Sequence, residues 1–201
     1  MPRLRILHRR TVRLLKDDQG SALLEFAIVL PLLVVFVVGI YDFSGAFNQK
    51  LKMQQGAQEG AIVAGAQPMS DIQTDKKNPD SLQPVVVAVF NSLAAGGFMP
   101  NANKGGGCIM PPPTPTHDTG TPNLKWVYPI SGCSSYGGDQ LTITINRGSV
   151  VPGPPMAVTT AVTVEYPYHW RFNSVIQLLI PGASYSAKTA LREIATVHNQ
   201  M

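Results

Sequence analysis

Acidic side chains are scarce in this chain, with 12 Asp and Glu against 16 Lys and Arg in 201 residues. After residue 20 no two of them are adjacent, so no neighbouring carboxylate pair marks general acid–base chemistry. The histidines, His8, His117, His169 and His198, are scattered singly. None belongs to an HExxH motif or to a pair at metal-ligand spacing, so each reads as a surface residue, and no metal or cofactor is expected. A Gly-x-Ser-x-Gly elbow is missing. The Gly105-Gly106-Gly107 run beside Lys104 lacks the Gly-x4-Gly-Lys-Ser/Thr order that cradles a phosphate. These absences point away from an enzyme. Cysteine is limited to Cys108 and Cys133, without the close spacing or histidine partners of a redox or zinc motif. An even pair in an oxidising compartment reads as a disulfide. Closing a loop of roughly 25 residues would stabilise the fold by about 3 kcal/mol in the chain-entropy model.

The basic excess is local. Arg3, Arg5, Arg9, Arg10, Arg13 and Lys16 face only Asp17 and Asp18 in the first twenty residues, and the rest of the chain is balanced, so the whole net charge of +4 sits in this leader. A leader effect of this kind gives no reason to expect nucleic-acid binding. Arginines and lysines placed directly before an apolar run instead set membrane orientation, with the amino terminus cytoplasmic and the carboxyl domain outside.

That apolar run organises the chain. From Phe26 to Tyr41 there is no charged residue, and counting from Ser21 gives about the 20 residues that a helix needs to cross a hydrocarbon core. Glu25 interrupts it near the start. A carboxylate at mid-bilayer costs roughly 2.5–3.5 kcal/mol on insertion scales, and less toward the interface; a segment that served only as an anchor would avoid that cost. Glu25 therefore reads as functional. A secretory signal would end its apolar region in a small-x-small cleavage site. Here Gly20, Ser21 and Ala22 precede the run, and Gly45-Ala46 after it is flanked by Phe43 and Phe47.

The pattern Gly20-x-x-x-x-Glu25-Phe26, followed by an apolar run containing Pro31, resembles the cleavage and assembly motif of prepilins. It is most similar to the TadE-like pseudopilins of tight-adherence (Tad/Flp) pilus systems. The resemblance implies cleavage between Gly20 and Ser21 by an aspartic prepilin peptidase, which makes Glu25 the fifth residue of the mature protein. Ser21 stands where the main type IV pilins usually carry a methylated aromatic residue. The implied partners are the inner membrane, the prepilin peptidase, other Tad pilins and pseudopilins, and the Tad inner-membrane assembly platform. The implied place is the bacterial cytoplasmic membrane, crossed once.

Pro31 removes the amide that would bond the Ala27 carbonyl and so predicts either a mild kink or a soft point at which the helix bends or partly melts when packed in a bundle, which membrane helices tolerate. The helix is expected to run on to about Gln67, where Pro68 ends it, for a length of about 70 Å. Phe43, Phe47, Leu51, Gln54, Ala57 or Gln58, Ala61 and Ala64 suggest the packed stripe, apolar at first and then small, with Gly56, Gly60 and Gly65 beside the alanines. Gly56 and Gly60 make a GxxxG spacing outside the bilayer, suited to close packing on a sheet of the same domain. Leu82 to Leu93 reads as a second helix closed by Gly96-Gly97, although its Val85, Val86, Val87, Val89 and Phe90 could equally make a buried strand, and 71–80 reads as a surface loop. Residues 101–123, with Pro111-Pro112-Pro113, read as an extended connection. Strands are expected at 124–128, 140–146 and 156–168 in an antiparallel meander. Phe172 to Ile180 is a short apolar segment, and Ala183 to Val197 is a last strand or a helix. Tyr166, Tyr168 and Trp170 alternate, as a partner surface or as packing on an edge strand. The run Val162-x-Val164-x-Tyr166-Pro167-Tyr168 with the late Ala190-Leu191-Arg192-Glu193 is also similar to the carboxyl end of TadE-like proteins.

The expected fold is α+β and pilin-like, a long amino-terminal helix with its first half transmembrane and the rest packed on a small antiparallel sheet. The expected divisions are a leader at 1–20, a span at 21–41 and an outer domain at 42–201 with its Gly/Pro-rich loop at 101–123. Two functions compete with a minor pseudopilin. One is an unprocessed bitopic envelope protein whose outer domain binds a partner or glycan; the other is an anchored envelope enzyme.

Overall fold

The computed structural model describes residues 18–72, 77–97, 99–102, 104, 108, 114–118, 124–152, 157–171 and 188–199. The basic leader, most of the 101–123 connection and the apolar segment 172–180 fall outside these. The described residues form two compact units, 18–43 with 171, and 44–170 with 188–199.

Helix α1 runs from Asp18 to Ala66 with Pro31 inside it. In the first unit its large apolar side chains, among them Leu23, Phe26, Ile28, Leu32, Phe36 and Ile40, are exposed. An apolar surface left uncovered by protein suits lipid or other helices and not water. Asp42, which follows the run, is buried, and its Oδ2 accepts the backbone amide of Arg171 at 2.7 Å.

In the second unit the same helix packs on a sheet through small residues. Ala46, Met53, Gly56, Ala57, Gly60, Ala61, Ala64 and Gly65 are buried at three- and four-residue intervals, one stripe of a helix. The expected stripe of Phe43, Phe47 and Leu51 is corrected here, because all three are exposed. Small side chains won the packed face by permitting close approach, which bulky ones at those positions would prevent. Helix α2, Gln83–Ala95, follows a 3-10 turn at Asp80–Leu82. Pro84 sits in its first turn, where no amide is needed. Val85, Val86, Val89, Phe90 and Leu93 form its buried side, and a helical interval between them, not strand alternation, resolves the two readings that this apolar segment allowed. The helix stops at Gly96, and Gly97 turns the chain with a positive φ of 73°.

The sheet is an antiparallel meander in the order β1-β2-β3-β4-β5. Its strands are β1 (Thr116–Asp118), β2 (Lys125–Ser131), β3 (Gln140–Val151), β4 (Ala157–His169) and β5 (Lys188–His198). The register pairs Trp126 with Ile145 and Ile145 with Val162, then Tyr128 with Ile143 and Ile143 with Val164. These residues are fully buried and alternate with the half-buried Val127 and Thr144, as strands with one better-packed face do. Each such aliphatic side chain contributes roughly 1.5–3 kcal/mol on burial. A register shift between Asn146 and Ser149 lets β3 run five residues beyond its expected end. The chain is thus α+β, with a long amino-terminal helix packed on a five-stranded antiparallel sheet.

Two further expectations change. The 101–123 connection contains β1, which pairs with β2 from Thr116–Val127 to Asp118–Lys125, so part of it is sheet. Tyr166, Tyr168 and Trp170 do not lie on an edge strand, since β4 is flanked by β3 and β5. Tyr166 points into the core, and the edges among the described strands are β1 and β5.

Candidate functional site

The residues singled out for processing and assembly, Gly20, Ser21, Glu25, Phe26 and Pro31, all lie on α1 in the first unit. Helix α1 is already helical at Asp18, two residues before Gly20. Ser21 and Glu25 are four residues apart, one turn and about 6 Å of rise along the axis. Both are exposed, as is Phe26, while Pro31 is half-buried. Among the described residues, nothing beyond its chain neighbours and its own helix backbone lies within 4 Å of a Cβ added at Gly20. These five residues make up a linear feature on a helix surface. Such a feature can be recognised by a membrane enzyme or by neighbouring helices, and it carries no catalytic geometry of its own.

The second feature lies in the second unit. Cys108 and Cys133 are bonded, with Cα atoms 4.8 Å apart and 25 residues between them in sequence. Both are buried within the core. The bond fixes the chain at residue 108 to the turn that follows β2, six residues before Asp139.

Asp139 carries an ionic cluster that the sequence did not disclose. Its side chain is buried, and its carboxylate accepts from Lys188 Nζ at 2.6 Å, His169 Nε2 at 2.6 Å and Ser134 Oγ at 3.0 Å. Burial alone would raise its pKa, but the hydrogen bonds from Lys188, His169 and Ser134 outweigh that and hold it below the usual carboxylate range. Tyr136 stacks on the His169 ring with centroids 3.9 Å apart. His169 is therefore not the plain surface residue expected. His117 also differs, stacking on Trp126 at 5.0 Å. Asp139 gathers its partners because β4 and β5 pair His169 with Lys188, and the Gly137-Gly138 turn places Asp139 beside them. No spacing in the sequence encodes that meeting.

Ser134 donates to the carboxylate itself, which orients no base onto the hydroxyl; a nucleophilic triad needs the imidazole there instead. Among the described residues, no group of three or more His, Cys, Asp or Glu is placed to hold a metal ion. What the cluster does is join the turn after β2 to the ends of β4 and β5.

Among the described residues one helix, Gly20–Ala66, is long and apolar enough to cross a membrane, which suggests a single-pass membrane protein. Comparison with the curated proteins finds no match, and comparison with solved structures finds none. A family model does match, and it points to a Tad pilus-related protein that is membrane-associated and works with other pilus proteins. The family is that of the TadE-like proteins, whose model this chain matches over residues 20–61, from Gly20 through the apolar run and into the packed part of α1.

Proposed function

We propose that this chain is a minor pseudopilin of a tight-adherence pilus assembly and secretion machine. In this reading a prepilin peptidase cuts between Gly20 and Ser21, and the product stays in the inner membrane through residues 21–41. The amino terminus is cytoplasmic before cleavage and the sheet domain is outside. Its partners are other Tad pilins and pseudopilins and the inner-membrane assembly platform. Neither a cofactor nor a catalytic group belongs to the proposal.

The observation that carries the reading is the coincidence at residue 20. The family match begins there, the basic leader ends there, and the uncovered apolar helix surface begins directly after it. Glycine is also the residue that a cut at this point favours. Within a helix it costs about 1 kcal/mol relative to alanine, so the first turn around Gly20 opens more readily into the extended backbone that a peptidase requires.

Mass spectrometry of the protein extracted from membranes tests the proposal. The expected amino terminus is Ser21, and Gly20→Phe is expected to leave the leader attached. Mature protein that still carries residues 9–19 would support instead an unprocessed bitopic protein whose outer domain binds a partner or glycan.

A further inference from the structure

We infer that the turn between β2 and β3 is a binding site for a neutral saccharide, which stacks on Tyr136 and is hydrogen-bonded by the polar side chains around it. The inference goes beyond the pseudopilin reading and does not depend on cleavage at Gly20. Every residue it uses belongs to the second unit.

A hollow of about 390 Å³ opens over this turn, lined by Asn101, Ser131, Ser135, Tyr136 and Gln140, with Asp139 in its wall. That lining rules out most ligand classes. Among the described residues the wall carries no aliphatic side chain, so an apolar ligand would desolvate hydroxyls and amides without giving them partners. An anion would meet the Asp139 carboxylate. A cation would have to displace Lys188 or His169, which already hold that carboxylate at 2.6 Å each. What fits is an uncharged ligand rich in hydroxyls.

The polar groups suit such a ligand. Gln140 Nε2 donates to Ser131 Oγ at 3.2 Å, which leaves the serine hydroxyl able to donate onward. Asn101 donates from Nδ2 to the Ser134 carbonyl at 2.8 Å and keeps Oδ1 as an acceptor. Donors and acceptors side by side match the neighbouring hydroxyls of a sugar ring. Tyr136 supplies the apolar part. One face of its ring lies on His169, yet the residue is 56% exposed, so the other face can take the C–H face of a pyranose.

The turn is also fixed in advance, which lowers the ordering cost of binding. Ser134 Oγ donates to buried Asp139 at 3.0 Å, and the Tyr136 amide donates to that same hydroxyl at 3.0 Å. Cys133 is held by its bond to Cys108. Asp139 is thus a positioning residue for the site.

Saturation-transfer NMR tests the inference on the full chain, held in a detergent whose headgroup is not a sugar. Cellobiose and lactose represent plain hexose glycans, diacetylchitobiose the acetylated amino sugars of cell walls, and digalacturonate an acidic counterpart. Transfer to ring protons of at least one neutral disaccharide is expected, and the one that responds identifies the source. Tyr136→Ala should weaken that binding by about tenfold or more. Gly137→Leu is a steric arm, because among the described residues nothing beyond its chain neighbours lies within 4 Å of a Cβ added there. It should weaken binding as well. Both variants should keep the wild-type urea midpoint, which separates loss of the site from loss of the fold. The inference is overturned if no neutral sugar shows transfer, if both variants keep it, or if digalacturonate alone responds.

Discussion

Arg147 on β3 donates from its guanidinium to the backbone carbonyl of Gln67 at 2.9 Å, joining the sheet to the end of α1 across 80 residues of sequence. The same group donates to Pro68 at 3.0 Å and to the Ala64 carbonyl. The last carbonyls of any helix lack partners within it, and they form the negative end of its dipole. One buried cation therefore answers several needs at once. Burial pushes the guanidinium pKa down, and the nearby Asp71 charge opposes that. Arginine stays charged under such pressure where lysine often does not.

Replacing Arg147 with methionine should keep most of the volume and remove every donor. The Ala64 carbonyl would keep the Gln67 amide, while the carbonyls of Gln67 and Pro68 would lose their guanidinium donor, at a cost of about 1–3 kcal/mol. Urea unfolding of the detergent-solubilised protein, followed by the emission of buried Trp126, should show a lower midpoint. Arg147→Lys is expected to recover only part of the loss, because a point ammonium cannot span carbonyls that a planar fork reaches together. Equal midpoints for wild type and Arg147→Met would contradict the closure role.

Gly60 should not tolerate alanine. An added Cβ would lie 2.2 Å from Val89 Cγ2 on α2 and 3.3 Å from Val162 Cγ1 on β4, so the position is closed from two sides. Valine in a helix has essentially one χ1 rotamer and cannot swing away. Alanine normally favours a helix over glycine by about 1 kcal/mol, but overpacking costs about 1–3 kcal/mol, so the net change should be destabilising. Val89→Ala should rescue Gly60→Ala in the double variant. A thermal melt in which Gly60→Ala alone is stabilising would show that the helices separate at small cost.

Gly60 also shows where the sequence could be read and where it could not. The GxxxG spacing of Gly56 and Gly60 announced a close approach, and the structure supplies α2 beside Gly56 and both α2 and β4 beside Gly60. The alternation of Leu141, Ile143 and Ile145 made β3 legible, because a strand with one packed face must alternate. The face of α1 was legible in its second half, where Ala57, Ala61 and Ala64 are buried as expected, and not in its first. Phe43, Phe47 and Leu51 carry more apolar surface than Ala57 or Ala61, and hydropathy alone favours them. Yet the domain packs through the small residues and leaves the large ones exposed. The pattern from Gly20 to Pro31, where the family match begins, could be read because it is linear in sequence. The Asp139 cluster was not, because its members meet through strand register and a turn, which are set only by the finished sheet.

The Asp139 cluster should make stability depend on acid. The folded-state pKa lies below the usual carboxylate range, so as pH falls the unfolded chain takes up the proton first. The stabilisation is therefore complete above the unfolded value of about 3.9 and is lost as pH falls through the lower native value. Asp139→Asn keeps the shape, removes the charge facing Lys188 and His169, and should cost about 2 kcal/mol at neutral pH. The gap between wild type and variant should narrow in acid. Parallel stability curves for the two proteins down to about pH 2 would show that the carboxylate's charge contributes nothing.

Glu25 is the most demanding test of the assembly proposal. After cleavage at Gly20, Ser21 would carry a free α-amino group, largely protonated at neutral pH. Glu25 lies one helical turn away on the same exposed surface, and a neighbouring subunit could present its own ammonium to that carboxylate. Two charges in a low-dielectric layer each carry a desolvation cost of several kcal/mol, which pairing recovers in part. Pairing also sets the subunit register, since a neighbour displaced by one step leaves both charges without partners. Glu25→Val should therefore insert and be cleaved normally, yet lose co-purification with partner pilins and reduce surface pilus counts. If Glu25 only reaches toward the interface as long polar side chains do, both measurements should match wild type. Glu25→Gln separates charge from shape, because it preserves the size and hydrogen-bonding reach of the side chain and should fail in assembly as the valine variant does.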